Sequence, residues 1–325
     1  MIPTIILHGY SDAAESFRPI ARFLVKQGFS VIDIHLGNYV SLEDTVTVPD
    51  LAKAFHTALL NKKLTLEKHS FNLIVHSTGS LVAREWLTRY FLEKNLPCPV
   101  RRYLMLAPAN FGSPLASMGK TMLGRVIKGW KTGFESGREV LNALEMGSQY
   151  TRALAKRDLF GPSSFYDPAH CYTAVLVGSK PYQSGLRRLA DRNGGDGTVY
   201  VCTANLNASG MTLKFGRKNE PTELTPWSRT AQPIAFGVFP DRDHESITLP
   251  EQGKKSLGAM ITRFLRIDDE AAYRAYSADC DALTAETLPA SPSDKIFHTY
   301  QNLATCRRRP RLWSLRLLLR VLRKS

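Results

Sequence analysis

Phe71-Asn72-Leu73-Ile74-Val75-His76-Ser77-Thr78-Gly79-Ser80 is the stretch whose reading decides the fold. Leu73 to Val75, with Phe71 just before, form a short unbroken apolar run, the pattern of a strand buried on both faces of a sheet. Beyond Gly79 the period changes. Leu81, Val82, Trp86, Leu87 and Tyr90 recur at spacings of three and four, which predicts a helix. Ser77 therefore falls on a sharp strand-to-helix turn that projects its hydroxyl out of the sheet. The same turn sets the backbone N–H of Thr78 at a helix N-terminus, aimed at an oxyanion forming there. A serine hydroxyl is a weak nucleophile until a base takes its proton, so the reading needs a histidine and a carboxylate downstream.

Val75-His76-Ser77-Thr78-Gly79 follows the Gly-x-Ser-x-Gly elbow pattern with one departure. The glycine after the serine is kept. The one before it is valine, which adds bulk where strand and helix approach most closely. By itself the pentapeptide is equally a buried turn of any α/β protein, where Ser and Gly are ordinary turn residues.

Outward from this unit, strand and helix patterns alternate. Ile2 to Leu7 is an apolar strand ending in His8-Gly9, followed by a helical face of Phe17, Ile20, Ala21, Phe23 and Leu24. A strand at Ser30 to Leu36 precedes a helical pattern within Asp44 to Leu64. Further strands are expected at Arg102 to Leu106, Cys171 to Val177 and Ile234 to Phe239, and a helix at Ser256 to Ile267. Such alternation implies an α/β protein with a parallel sheet, right-handed crossovers and helices on both faces.

Two downstream stretches supply the missing chemistry. Gly194-Gly195-Asp196-Gly197-Thr198-Val199 places a carboxylate in a glycine turn; alone it reads as an ordinary reverse turn. Pro240-Asp241-Arg242-Asp243-His244-Glu245-Ser246-Ile247 puts His244 on a polar loop after the last strand. Asp196 would orient the His244 imidazole, and His244 would take the Ser77 proton. Asp243 is the rival carboxylate, adjacent in sequence and expected to point away. The remaining histidines, His35, His56, His69, His170 and His298, have no readable partners, and no cluster has metal-ligand spacing.

These residues, with Leu106-Ala107-Pro108 and Gly112-Ser113-Pro114-Leu115-Ala116, resemble the α/β-hydrolase superfamily in its lipase and serine esterase (phospholipase-like) branch. The resemblance runs over residues 2–267. It implies an α/β-hydrolase domain at 1–267 with a minimal, mainly parallel sheet flanked by helices and a helical cap inserted at about 113–168. It also implies catalysis by Ser77, Asp196 and His244, with oxyanion donors from the backbone of Thr78 and of Gly9 or Tyr10. His8 would belong to that oxyanion loop, and His76 would pack and orient. The implied reaction is hydrolysis of carboxylic esters, above all lipid esters, through an acyl-enzyme and without a cofactor. The same triad would serve acyl transfer to another alcohol. A third reading is a non-catalytic scaffold with a protein-docking tail.

Between Ser113 and Phe165, Met118, Met122, Leu123, Val126, Ile127, Trp130 and Phe134 interleave with Lys120, Arg125, Lys128 and Lys131. A cap with a Met- and aromatic-rich face suits an acyl chain, because thioethers adapt to irregular apolar shapes. A helical pair packed on the body would carry the same pattern.

Five scattered cysteines, odd in number and without CxxC spacing, argue against a disulfide framework and fit a reducing compartment. Neither a leader nor an apolar run of about 18 residues is read, so a cytoplasmic or peripheral-membrane location is expected. The net charge of +14 is concentrated at one end: Cys306 to Ser325 holds seven arginines and one lysine with no acid. Within a C-terminal extension at 268–325, Arg316, Arg320, Arg323 and Lys324 share one side of a helical wheel. Leu312, Leu315, Leu317, Leu318, Leu319, Val321 and Leu322 fill the rest, with Trp313 nearby. That pattern fits an anionic membrane surface, each basic residue adding about 1 kcal/mol, or a docked helix. Leucines have no use in a nucleic-acid arm, so no nucleic-acid partner is expected. Removing residues 307–325 is expected to weaken binding to anionic vesicles in a flotation assay; unchanged binding would count against the tail as the membrane contact.

Overall fold

The computed structural model describes residues 2–8, 18–36, 44–116, 137–180, 194–216, 220–252 and 256–287. Gly9, Tyr10, the methionine- and aromatic-rich stretch at 117–136 and the basic tail lie outside the described residues. The first three strands are β1 (Thr4–Leu7), β2 (Val31–Ile34) and β3 (Phe71–His76). They are followed by β4 (Val100–Leu106), β5 (Tyr172–Gly178), an outlying antiparallel hairpin of β6 (Met211–Phe215) and β7 (Pro221–Pro226), and β8 (Ala235–Phe239). Six of them form one sheet in the order β2-β1-β3-β4-β5-β8, every neighbour parallel. This is the mainly parallel, helix-flanked sheet that the alternating pattern implied.

Parallel pairing requires crossovers, and the helices supply them. They are α1 (Arg18–Lys26), α2 (Val48–Asn61), α3 (Gly79–Tyr90), α4 (Arg138–Leu144), α5 (Gln149–Asp158), the short α6 (Val201–Ala204), α7 (Leu257–Phe264) and α8 (Glu270–Thr287). α2 starts where its sequence tells it to. The Thr47 hydroxyl accepts from the Asp50 N–H and the Asp50 carboxylate accepts from the Thr47 N–H, a capping box with Pro49 in the first turn. β3 and β5 are buried along their whole length, as strands covered on both faces must be. Each fully buried Leu, Ile or Val there contributes roughly 1.5–3 kcal/mol. α3 is buried almost all round, with Trp86 wedged edge-on against Phe55 and Phe91 at 5.0 Å between ring centroids.

The stretch 270–287, at the start of the C-terminal extension, lies along the outer edge of the sheet as α8. An edge strand exposes unpaired backbone groups, and α8 satisfies those of β8 with side chains. Thr284 Oγ1 accepts from the Val238 N–H at 3.2 Å and donates to Phe236 O at 2.8 Å. Thr287 donates to Val238 O, and Tyr273 Oη accepts from the Ala235 N–H while donating to Thr173 O across on β5.

The charge pair of Arg84 and Asp158 is wholly internal. Arg84 on α3 is fully buried and grips Asp158 at the end of α5 with two parallel bonds, Nε to Oδ2 at 2.8 Å and Nη2 to Oδ1 at 3.0 Å. Its Nη1 reaches the carbonyl of Asn110, in the loop after β4, at 2.9 Å. Burial opposes the Arg84 charge, but the Asp158 carboxylate outweighs it and holds the guanidinium above its ordinary pKa. Asp158→Ala strands that charge and is expected to cost about 3–5 kcal/mol in denaturant unfolding. A loss within the roughly 0–1 kcal/mol of a surface pair would show that the pair contributes little.

Candidate active site

Ser77, Asp196 and His244 are far apart in sequence and meet at the carboxyl ends of the strands. Ser77 follows β3, Asp196 lies beyond β5 and His244 follows β8. The Ser77 backbone sits at φ 51°, the left-handed region that ordinary residues avoid. Its N–H donates to Leu106 O at 3.2 Å, and its carbonyl accepts from the Ser80 hydroxyl and the Ala109 N–H. Val75 is buried in regular register between Leu7 and Met105, so the elbow forms with valine in place of glycine. The tight approach falls at Gly79 instead: a Cβ there would lie 3.0 Å from His8 O and 3.1 Å from Leu7 O.

His244 Nε2 is 3.0 Å from Ser77 Oγ, and His244 Nδ1 is 2.8 Å from Asp196 Oδ2. Asp196 is fully buried and His244 is 2% exposed, whereas Ser77 keeps a partial opening to solvent. The second Asp196 oxygen accepts from the backbone N–H groups of Thr198 at 2.9 Å and Val199 at 2.8 Å. That fixes the plane of the carboxylate. Gly194 and Gly197 take φ near 90° around it, as a turn this tight requires. The Ser113 hydroxyl donates to Thr198 O at 2.5 Å, tying the loop after β4 to the acid turn.

Asp243 turns back on its own loop, accepting from the Ser246 N–H and hydroxyl at 2.8 and 2.7 Å. His76 is buried, and its Nε2 lies 2.9 Å from the carbonyl of His244, with the two rings 4.6 Å apart. His76 thus packs against the histidine loop. Arg242, two residues before His244, is 1% exposed and donates through Nη1 to Ser246 O and Leu249 O, closing the histidine loop. Thr78 occupies the N-cap position of α3. Burial pushes the Cys202 thiol up to about 11, so this cysteine near the acid turn is a neutral thiol at pH 7 and a poor nucleophile.

A second polar group lies at the ends of β1 and β2. His8 is in hydrogen-bond contact with Asp33, and His35 Nε2 is 3.3 Å from the other Asp33 oxygen. Burial works against the Asp33 charge, but hydrogen bonds from His35 and His8 hold its carboxyl well below the usual range. Sequence spacing hid this group, although Asp33-x-His35 at the end of a strand already placed two polar side chains on one face.

No family model matches the sequence, and no curated protein matches it. Among solved structures the chain is similar to phospholipase PlaB from Legionella pneumophila, at 29% identity and a TM-score of 0.74 over 89% of this chain. The structure of that phospholipase in complex with thio-NAD gives 28% identity and 0.72. The chain spans 64% of that protein, less than two thirds of its length. The mature form of Bacillus licheniformis lipase BlEst2 shares the fold, at 15% identity and a TM-score of 0.51, over 76% of this chain and 86% of that one. The chain has the α/β-hydrolase fold, and the solved structures it is similar to include a phospholipase and a lipase. Among the described residues no helix is long and apolar enough to cross a membrane.

Gly178, the last residue of β5, has no room for a side chain, since a Cβ would lie 2.1 Å from Arg242 O. Gly178→Ala must push the histidine loop away from the sheet and is expected to cost about 1–3 kcal/mol in denaturant unfolding. Unaltered stability would mean that the loop has slack the packing does not show.

Proposed function

We propose that this protein is a serine hydrolase of carboxylic esters, acting on lipid esters in the manner of a lipase or phospholipase. The observation that carries the reading is the unbroken chain from Ser77 Oγ to His244 Nε2 at 3.0 Å and from His244 Nδ1 to Asp196 at 2.8 Å, with the acid wholly buried. In this mechanism Ser77 Oγ attacks the acyl carbonyl while its proton passes to His244 Nε2. The tetrahedral intermediate collapses, the alcohol leaves with that proton, and an acyl-Ser77 ester remains. Water, deprotonated by the same imidazole, then releases the acid. Asp196 holds the imidazole in the tautomer that accepts at Nε2 and stabilises the imidazolium. Its two backbone donors on the far oxygen keep it correctly turned. The oxyanion is held by the Thr78 N–H together with that of Gly9 or Tyr10; losing one such donor typically costs on the order of 100-fold or more in rate.

The choice of lipid esters rests on three supports: the similarity to a phospholipase, the Met- and aromatic-rich stretch after Ser113, and the basic, leucine-rich tail. In this reading the tail brings the enzyme to an anionic interface and the stretch after Ser113 covers the acyl chain.

The test is covalent. A fluorophosphonate should add once to the wild type, read by intact mass, and not to Ser77→Ala. Asp196→Asn should slow ester turnover on the order of 10⁴-fold with the fold intact. A folded wild type that takes no adduct, with or without detergent micelles, would rule out an activated serine.

A further inference from the structure

Strand register brings His8, Asp33 and His35 together. Leu7 pairs with Ile34, so His8 and His35 come next at the carboxyl ends of two adjacent parallel strands. Ile6 pairs with Asp33, and side chains two apart in a strand share a face, so all three polar groups project from one side of the sheet. One ligand atom from each lies within 4.8 Å of the others, and the two imidazole centroids are 3.8 Å apart. His8 is 1% exposed, while Asp33 and His35 are 33% and 20% exposed. The group thus has a buried floor and a side open to solvent, on the rim where parallel α/β sheets bind ligands.

We propose that His8 Nε2, the Asp33 carboxylate and His35 Nε2 form a site for one divalent transition-metal ion of the zinc class, with water as the fourth ligand. Two imidazoles and a carboxylate are a donor set that suits zinc and cobalt, and one that magnesium and calcium, which take oxygen ligands, do not favour. Ligand atoms around a tetrahedral zinc with bonds of about 2.0–2.1 Å stand about 3.3 Å apart. The separation of His35 Nε2 from Asp33 Oδ2 is 3.3 Å. The cation takes the place of the proton between His8 and Asp33, and that pair opens to the same spacing. Two imidazoles facing one carboxylate are thereby given a charge that all three can share. The site does not depend on the hydrolase reading, yet it touches the same framework. His8 ends β1, and its carbonyl is the atom that closes on Gly79 at the start of α3. Ligation would therefore stiffen the chain next to the elbow.

The experiment needs no turnover. Untagged, metal-stripped protein is titrated with Co²⁺ and followed by visible absorption, then back-titrated with Zn²⁺. One equivalent of four-coordinate Co²⁺ is expected, displaced by Zn²⁺. Asp33→Asn and His35→Gln should each weaken binding at least about 10-fold, and His69→Gln, which removes a distant histidine, should not. X-ray absorption of the zinc-loaded wild type should give two imidazole nitrogens in the first shell, a readout independent of whether the variants fold. A wild type with no saturable Co²⁺ band, a zinc shell of water oxygens alone, or binding undiminished in both variants would each overturn the proposal and leave a hydrogen-bonded His-Asp-His group.

Discussion

The left-handed backbone of Ser77 is the constraint around which the molecule is arranged. A serine at φ 51° is in a conformation that costs on the order of 1 kcal/mol or more, and it persists only where the surroundings over-determine it. Here they do so from three sides. β3 fixes the residues before the turn in a six-residue ladder, Leu106 O and the Ala109 N–H hold both backbone polar groups of Ser77, and α3 leaves at once with Gly79 against the carbonyls of His8 and Leu7. The consequence is a hydroxyl raised above the sheet, in reach of a base on another loop.

That base is positioned with comparable redundancy. His244 is held through its ring by Asp196, through its N–H by the Asp196 carbonyl and through its own carbonyl by His76. Two of these bonds come from the Asp196 turn and one from the end of β3, so the loop is held from two separate elements. The elements that carry these bonds are clamped in turn: Arg84 joins α3, α5 and the Asn110 loop, while α8 seals the open edge of β8 just before the histidine loop. Buried charge pairs contribute less to stability than their Coulomb attraction suggests, because both ions lose water. The Arg84–Asp158 pair is better understood as fixing where three segments meet.

Much of this was legible along the chain because it is local. The unbroken apolar run of β3, the change of period at Gly79 and the glycine turn around Asp196 each depend on a few neighbouring residues, and the structure reproduces them. The order of Ser77, Asp196 and His244 was also legible, since a parallel sheet returns every strand to the same end. The choice of Asp196 over Asp243 was an inference from adjacency; the geometry behind it is the local Asx turn that directs Asp243 Oδ1 to Ser246.

The rest depended on contacts between distant segments, which no local pattern encodes. Val75 was a suspect at the elbow, but the close approach is at Gly79, a fact set by where β1 ends beside α3. The need for glycine at 178 comes from the return of Arg242 after 63 residues of intervening chain. His35 has a local neighbour in Asp33, two residues before it, and acquires His8 through the register of β1 on β2. By itself the sequence determined the strands of the main sheet and which residue types stand at their ends, because propensity and periodicity act over a few residues. Only the tertiary structure decided which of those ends come within hydrogen-bond distance, because that depends on strand order and register across the sheet.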